Sequence, residues 1–380
     1  MGSALTRSEK RISSAIFGVC MVLAFITVLI SSDIAIDYMK KGLRLCSDTV
    51  IPSLFPFMVI SELIVSSGAG VRISRLLSKP MSMLFGIGQA GAVAYILGAV
   101  CGFPIGAKTA VSMYDKGIMS KRELEQVLTF CNNPGSAFVI SAVGVSLFGR
   151  REVGILLYVC GILSSVAVGF FTKFFFKSKD TVRLTILPSS SRDGTVESIT
   201  GAIQSSATAM LYVCAYVVFF SALIGCIGAF LHRFGAPEWV IACIFGFFEI
   251  SSGVGAGSEV SVGLASILLC ALFLGWSGLS VHFQIMTVCS GRGISFKPYF
   301  IAKAAQGVIC AALTGIGLKC FFPALLEDNF TVYLPQAEGA YTRGGFLCLS
   351  FFAASVAILA VSRIFEKNLK NNSKKYLKRY

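Results

Sequence analysis

Lys108 closes the run Gly102-Phe103-Pro104-Ile105-Gly106-Ala107-Lys108, in a stretch that is otherwise apolar. Gly102 can end one helix, and Pro104, with its fixed φ and missing N–H, suits the first turn of the next. Lys108 then lies one turn inside that helix. Asn132-Asn133-Pro134-Gly135 repeats the device, with Asn133 a good N-cap and Pro134 a good first-turn residue. Two helix starts, at 104–106 and 133–135, are expected to converge near one ammonium group. Exposed amides and the positive end of a helix dipole favour an anion, and Lys108 adds a full charge. Alternatively, Lys108 snorkels toward an interface and Asn132-Asn133-Pro134 only caps.

Two carboxylates stand in apolar surroundings: Glu62 within Met58–Ser66, and Glu249 between Phe248 and Ile250. A carboxylate at that depth is expensive unless it is protonated, paired or facing a cavity. Coupling to a proton or sodium ion is one role for both, and an ion pair between Glu249 and Lys108 is another. Gly275-Trp276-Ser277-Gly278 opens a further apolar run, with His282 and Gln284 inside it. Ser277 is placed with the substrate groups, and His282 is expected to be a satisfied hydrogen-bonding group between helices.

Enzyme signatures are missing: there is no H-E-x-x-H, G-x-S-x-G in context, P-loop or G-x-G-x-x-G after a strand. No cofactor, no metal and no catalytic residue is expected. The thirteen cysteines lie mostly in apolar segments without C-x-x-C spacing, and read as small buried hydrophobes.

The elements that must position these groups are membrane helices. The 380 residues are 55% hydrophobic and 14% charged, against about 25% charged in soluble domains. The net charge of +14 comes from clusters between apolar runs, which is the positive-inside pattern and not a nucleic-acid stripe. Residues 12–32 form an anchor, and 51–68, 132–149, 153–176, 201–225, 276–290, 301–322 and 343–363 are further spans. Stretches 81–118 and 237–275 are broken hairpins, interrupted at Gly102–Gly106 and at Gly253–Gly257. With the N-terminus inside and both hairpins returning to their own side, the inner segments 1–11, 69–80, 102–131, 173–200, 291–303 and 363–380 carry 25 Lys and Arg, against 6 in the outer segments 33–50, 150–152 and 226–236. Both termini are therefore expected in the cytoplasm.

The two halves match. Gly102-Phe103-Pro104 precedes Gly246-Phe247-Phe248 by 144 residues, and Asn132–Gly135 precedes Gly275–Gly278 by 143. The expected organisation is 1–42 anchor and amphipathic segment, 43–176 first repeat, 177–200 cytoplasmic linker, 201–322 second repeat, and 323–380 outer loop, last helix and basic tail. The fold class is all-α polytopic, with two inverted repeats that each hold a broken hairpin. Interrupted helices at matching positions of inverted halves point to a transporter's midplane site.

Pro52–Phe57, Gly102–Lys108 and Phe130–Pro134 resemble the sporulation integral membrane protein family with nucleoside-recognition (gate) domains, over about residues 10–365. That family is similar to distant concentrative nucleoside transporters. The resemblance implies movement of dipicolinic acid from the mother cell across the outer forespore membrane. It marks Pro104, Gly106, Lys108, Asn132, Asn133 and Pro134 as motif positions. The expected partners are dipicolinate and the lipid bilayer, with no nucleic acid; a coupling proton or sodium ion and a second copy of the chain stay open. A non-transporting assembly protein of the spore envelope and a nucleoside transporter are the alternatives.

Overall fold

The computed structural model describes residues 28–67, 79–176, 195–260 and 263–323, with scattered positions from 18 to 26. Most of the anchor 12–32, the linker up to 194, the outer loop 324–342, the last helix 343–363 and the basic tail lie outside the described residues.

All regular elements among the described residues are helical. The first half holds α1 (Ser32–Leu45), a wide-turned stretch Cys46–Val50 and α2 (Ile51–Ser66). Then α3 (Lys79–Phe85) bends by 87° into α4 (Gln89–Cys101). After a break come α5 (Ile105–Asp115), the short α6 (Lys121–Leu128), the wide-turned α7 (Phe138–Leu147) and the 25-residue α8 (Arg151–Phe175). The second half runs α9 (Thr195–Arg233), α10 (Glu238–Phe248), α11 (Ile250–Glu259), α12 (Leu264–Trp276), α13 (Gly278–Val288) and the 25-residue α14 (Lys297–Phe321).

Four stretches are long and apolar enough to cross a bilayer: Arg151–Phe175, Glu197–Arg233, Leu264–Val288 and Lys297–Phe321; the bent pair α3–α4 makes a fifth. Leu163, Phe171, Leu211, Phe219, Val308 and Ile316 remain exposed along them. Such faces are stable against lipid and costly in water. The protein is a multi-pass helical membrane protein.

The described residues within 40–221 and 237–323 form one compact unit, so both halves share a core. Phe85, Tyr95 and Phe130 pack together there, with Phe85 and Phe130 centroids 4.9 Å apart. α12 meets α14 where a Cβ on Gly275 would lie 2.6 Å from Gly307 Cα, a small-residue contact typical of membrane helices. A separate small unit joins part of 28–39 to 222–236, with Ala35 buried against Ala222 and Cys226.

Several boundaries differ from the sequence expectation. The second hairpin breaks at Glu249, not within Gly253–Gly257, which lies inside α11. Gly253 instead packs on Gly246, so these glycines let the two arms touch. The expected span 276–290 is the second arm of Leu264–Val288, interrupted at Ser277. The expected span 132–149 shrinks to α7, because residues 131–135 run as a non-helical strap.

Candidate functional site

The strap owes its place to three glycines spaced one helical turn apart. Gly98 and Gly106, on facing arms of the α4–α5 hairpin, leave the room in which the Cys131 carbonyl sits. Between them Gly102, at φ 90° in the break itself, approaches Gly135, whose N would lie 2.6 Å from an added Cβ. A positive φ with backbone at that distance admits only glycine. The first break therefore holds the second.

The second half repeats the contact. Glu249 forms the break between α10 and α11, and an added Cβ on Gly278 would lie 3.1 Å from Glu249 Cα. Ser277, at the facing break, is fully buried in the left-handed region at φ 78°. Its Oγ donates to Leu274 O at 3.4 Å.

The strap's polar side chains stitch the core. Asn132 Oδ1 accepts from Ala107 N at 3.0 Å, and its Nδ2 donates to Leu128 O at 3.2 Å. Asn132 thus satisfies a free amide at the start of α5. Asn133 is not the N-cap of α7: its Nδ2 donates back to Phe130 O, while its Oδ1 accepts from Gln306 Nε2 at 2.7 Å. Pro104 takes the N-cap position of α5, one residue before the first turn where it was expected, and Pro104, Gly106 and Pro134 are all buried. The expected capping box at Ser120 is half formed. Ser120 Oγ accepts from Glu123 N, but the Glu123 carboxylate leaves the helix to accept from Gly88 N at 2.7 Å.

Of the two alternatives for Glu249, the ion pair with Lys108 is not formed, and Lys108 meets Glu62 instead. Lys108 Nζ lies 3.0 Å from Glu62 Oε2, an ion pair by distance and not an aligned hydrogen bond. Glu249 does not meet Lys108; its two oxygens accept from Ser251 N at 3.0 Å and Ser252 N at 2.7 Å. A carboxylate on a helix's first amides offsets its burial through two charge-assisted bonds.

A second lysine carries the centre, and the sequence reasoning missed it. Lys303, on α14, had been counted as a loop charge. It is fully buried. Its Nζ donates to Asn132 O at 2.9 Å and Gln306 Oε1 at 2.8 Å. No carboxylate among the described residues pairs with it. One turn earlier, Tyr299 OH shares a 2.7 Å hydrogen bond with His282 Nδ1, so the satisfied histidine expected there is satisfied at one ring nitrogen. His282 Nε2, Ser280 Oγ and Gln284 Oε1 are buried without a hydrogen-bond partner. The available signal was helical spacing: 299, 303 and 306 form one polar stripe in an apolar run.

At the end of the bundle Arg292 clamps Asp115 through two bonds of 2.7 and 2.6 Å. The guanidinium holds the Asp115 carboxyl below its ordinary 3.8. Nearby, Ser295 N donates to Glu125 at 2.9 Å. Loops 116–120 and 289–296 therefore share one face.

Over 330 residues the chain is 28% identical to the sporulation integral membrane protein YlbJ of Bacillus subtilis (strain 168), covering 78% of this chain and 81% of that protein. No family model matches the chain, and no solved structure matches it.

Proposed function

We propose that the protein is a sporulation membrane transporter that carries a small planar dianion, dipicolinate, out of the mother cell across the outer forespore membrane. The contact between two helix breaks in each half carries this reading: Gly102 meets Gly135, and Glu249 meets Gly278. Each half runs as a broken hairpin, a second interrupted helix pair and a 25-residue helix. This repeated order supports two inverted, gate-like repeats around a midplane site, the arrangement in which transporters bind their cargo. Interrupted backbone at membrane depth needs protein or water to satisfy it, which a scaffold has no reason to build. Lys108, Asn132, Asn133 and Ser277 line the centre in this reading, with both chain termini cytoplasmic. Similarity to a sporulation membrane protein supports the setting.

Purified protein in liposomes tests it. Uptake of labelled dipicolinate above that of empty vesicles is expected, with no uptake of uridine. Uridine uptake without dipicolinate uptake would make the chain a nucleoside carrier, and uptake of neither would remove the transport reading.

A further inference from the structure

The Lys303 ammonium sits where the strap and α14 meet, and both its partners are oxygen acceptors. One is the Asn132 carbonyl, released from helical bonding by the strap; the other is the Gln306 side-chain oxygen. Gln306 is held in that orientation because its Nε2 donates to Asn133 Oδ1 at 2.7 Å. An unwound carbonyl and a fixed amide oxygen, both aimed at one buried point, are the groups with which broken-helix carriers hold a sodium ion. Here the point is filled from within the chain. Lys303 has no exposed surface, and no carboxylate among the described residues neutralises it.

We infer that Lys303 is a tethered internal cation that takes the place of a coupling sodium ion, so that the carrier binds its anionic cargo without sodium. The inference rests on the transport reading above and deepens it. A bound sodium would do two jobs at this break: satisfy the freed carbonyl, and supply positive potential near the cargo. The tethered ammonium can do both without leaving the chain. A buried cation without a counter-charge is costly by itself, and a cargo carboxylate relieves that cost on arrival. Lys108 is less suited to this role because Glu62 already faces it at 3.0 Å.

The test uses full-length protein in liposomes, with dipicolinate as the probe. Parent uptake is expected to change less than twofold when sodium is replaced by potassium or N-methylglucamine. Lys303→Ala should lose at least about tenfold in potassium, the scale of one desolvated charge-assisted contact. Sodium or methylammonium should restore part of it by entering the vacated oxygen site. Parent uptake that requires a sodium gradient overturns the inference, as does parent-like uptake by Lys303→Ala in potassium. Where Lys303→Ala does not reach the membrane, the parent's sodium response alone decides. If the parent moves no dipicolinate in any buffer, the transport reading fails separately. Thermal melts in detergent then judge the cation site alone. A sodium-specific rise for the parent refutes the tethered cation, and a rise confined to Lys303→Ala upholds it.

Discussion

Adding one methyl group at Gly106 should disturb the centre more than its size suggests. A Cβ there would fall within the contact distance of the Cys131 carbonyl and lie 3.0 Å from Gly98 Cα. Both obstacles are backbone, so neither can rotate aside. Overpacking of this kind costs about 1–3 kcal/mol, and rigid neighbours favour the upper end. Against it stands the helix preference of Ala over Gly, about 1 kcal/mol in a helix interior. Gly161, inside α8 with nothing within 4 Å of an added Cβ, supplies the control. Gly161→Ala keeps the propensity gain and lacks the clash, so the difference between the two variants isolates the close approach.

Thermal unfolding in detergent, followed by loss of helical signal, reads that difference. Gly161→Ala should melt at or slightly above the parent, and Gly106→Ala several degrees below it, since about 1 kcal/mol moves a large domain by some 2–4 °C. Gly98→Ala should behave like Gly106→Ala, because it meets the same carbonyl from the opposite arm. Equal melting of Gly106→Ala and Gly161→Ala would mean that the strap does not run through the hairpin.

Lys108→Ala leaves Glu62 without its cation, so it should lower dipicolinate uptake and stability together; adding Glu62→Gln should recover the stability but not the uptake, measured by melts and liposome assays side by side. Glu249→Ala removes the acceptor of two α11 amides and should cost about 0.5–2 kcal/mol, while Glu249→Gln keeps one acceptor and should take up dipicolinate like the parent at every sodium level; a sodium-dependent defect would support the coupling role for Glu249. The Asp115 carboxyl is held below its ordinary 3.8 by Arg292, so its stabilisation is present above that value and disappears as pH falls through the lowered one. Asp115→Asn should remove this acid-sensitive part at neutral pH, at less than about 1 kcal/mol because the pair is half exposed; melts from pH 3 to 7 compare the two. In a cysteine-free background, an impermeant thiol reagent should reach Gly149→Cys in intact cells and Thr185→Cys only after permeabilisation; early labelling at 185 would break the inverted arrangement.

Helix interruptions proved legible in the sequence where proline marked them, and less so elsewhere. Pro104 and Pro134 lack the N–H that a helix interior uses, and both breaks sit where they do, although α2 carries Pro56 without breaking. In the second half no proline marks the hairpin break, and the glycine tract 253–257 drew the expectation four residues too far. Glycine permits a break but equally permits two helices to touch, and only the partner decides between them. Gly253 has Gly246 opposite it and stays helical. Glu249 breaks the chain instead, since its carboxylate reaches its own helix's first amides only from an extended backbone, at φ −145° and ψ 127°. An apolar-run argument treats that carboxylate as a lone charge and cannot see the two amides it serves.

The lysines fail in the opposite direction, and for a related reason. Counting Lys and Arg by loop assumes that a cation near the end of a span belongs to the interface. Lys303 lies six residues into α14, close enough to that end to be counted outside it, yet its ammonium reaches inward to the strap. Removing it lowers the inner total by one and leaves the orientation intact, because that preference rests on many weak contributions. What changes is the centre. With Lys108 facing Glu62, the positive charge available at the meeting of the breaks comes from a residue that charge counting had assigned to the surface. A buried cation is therefore better sought through its acceptors than through its neighbours in sequence: a broken helix leaves carbonyls without partners, and a chain that binds no ion there must send a donor to them.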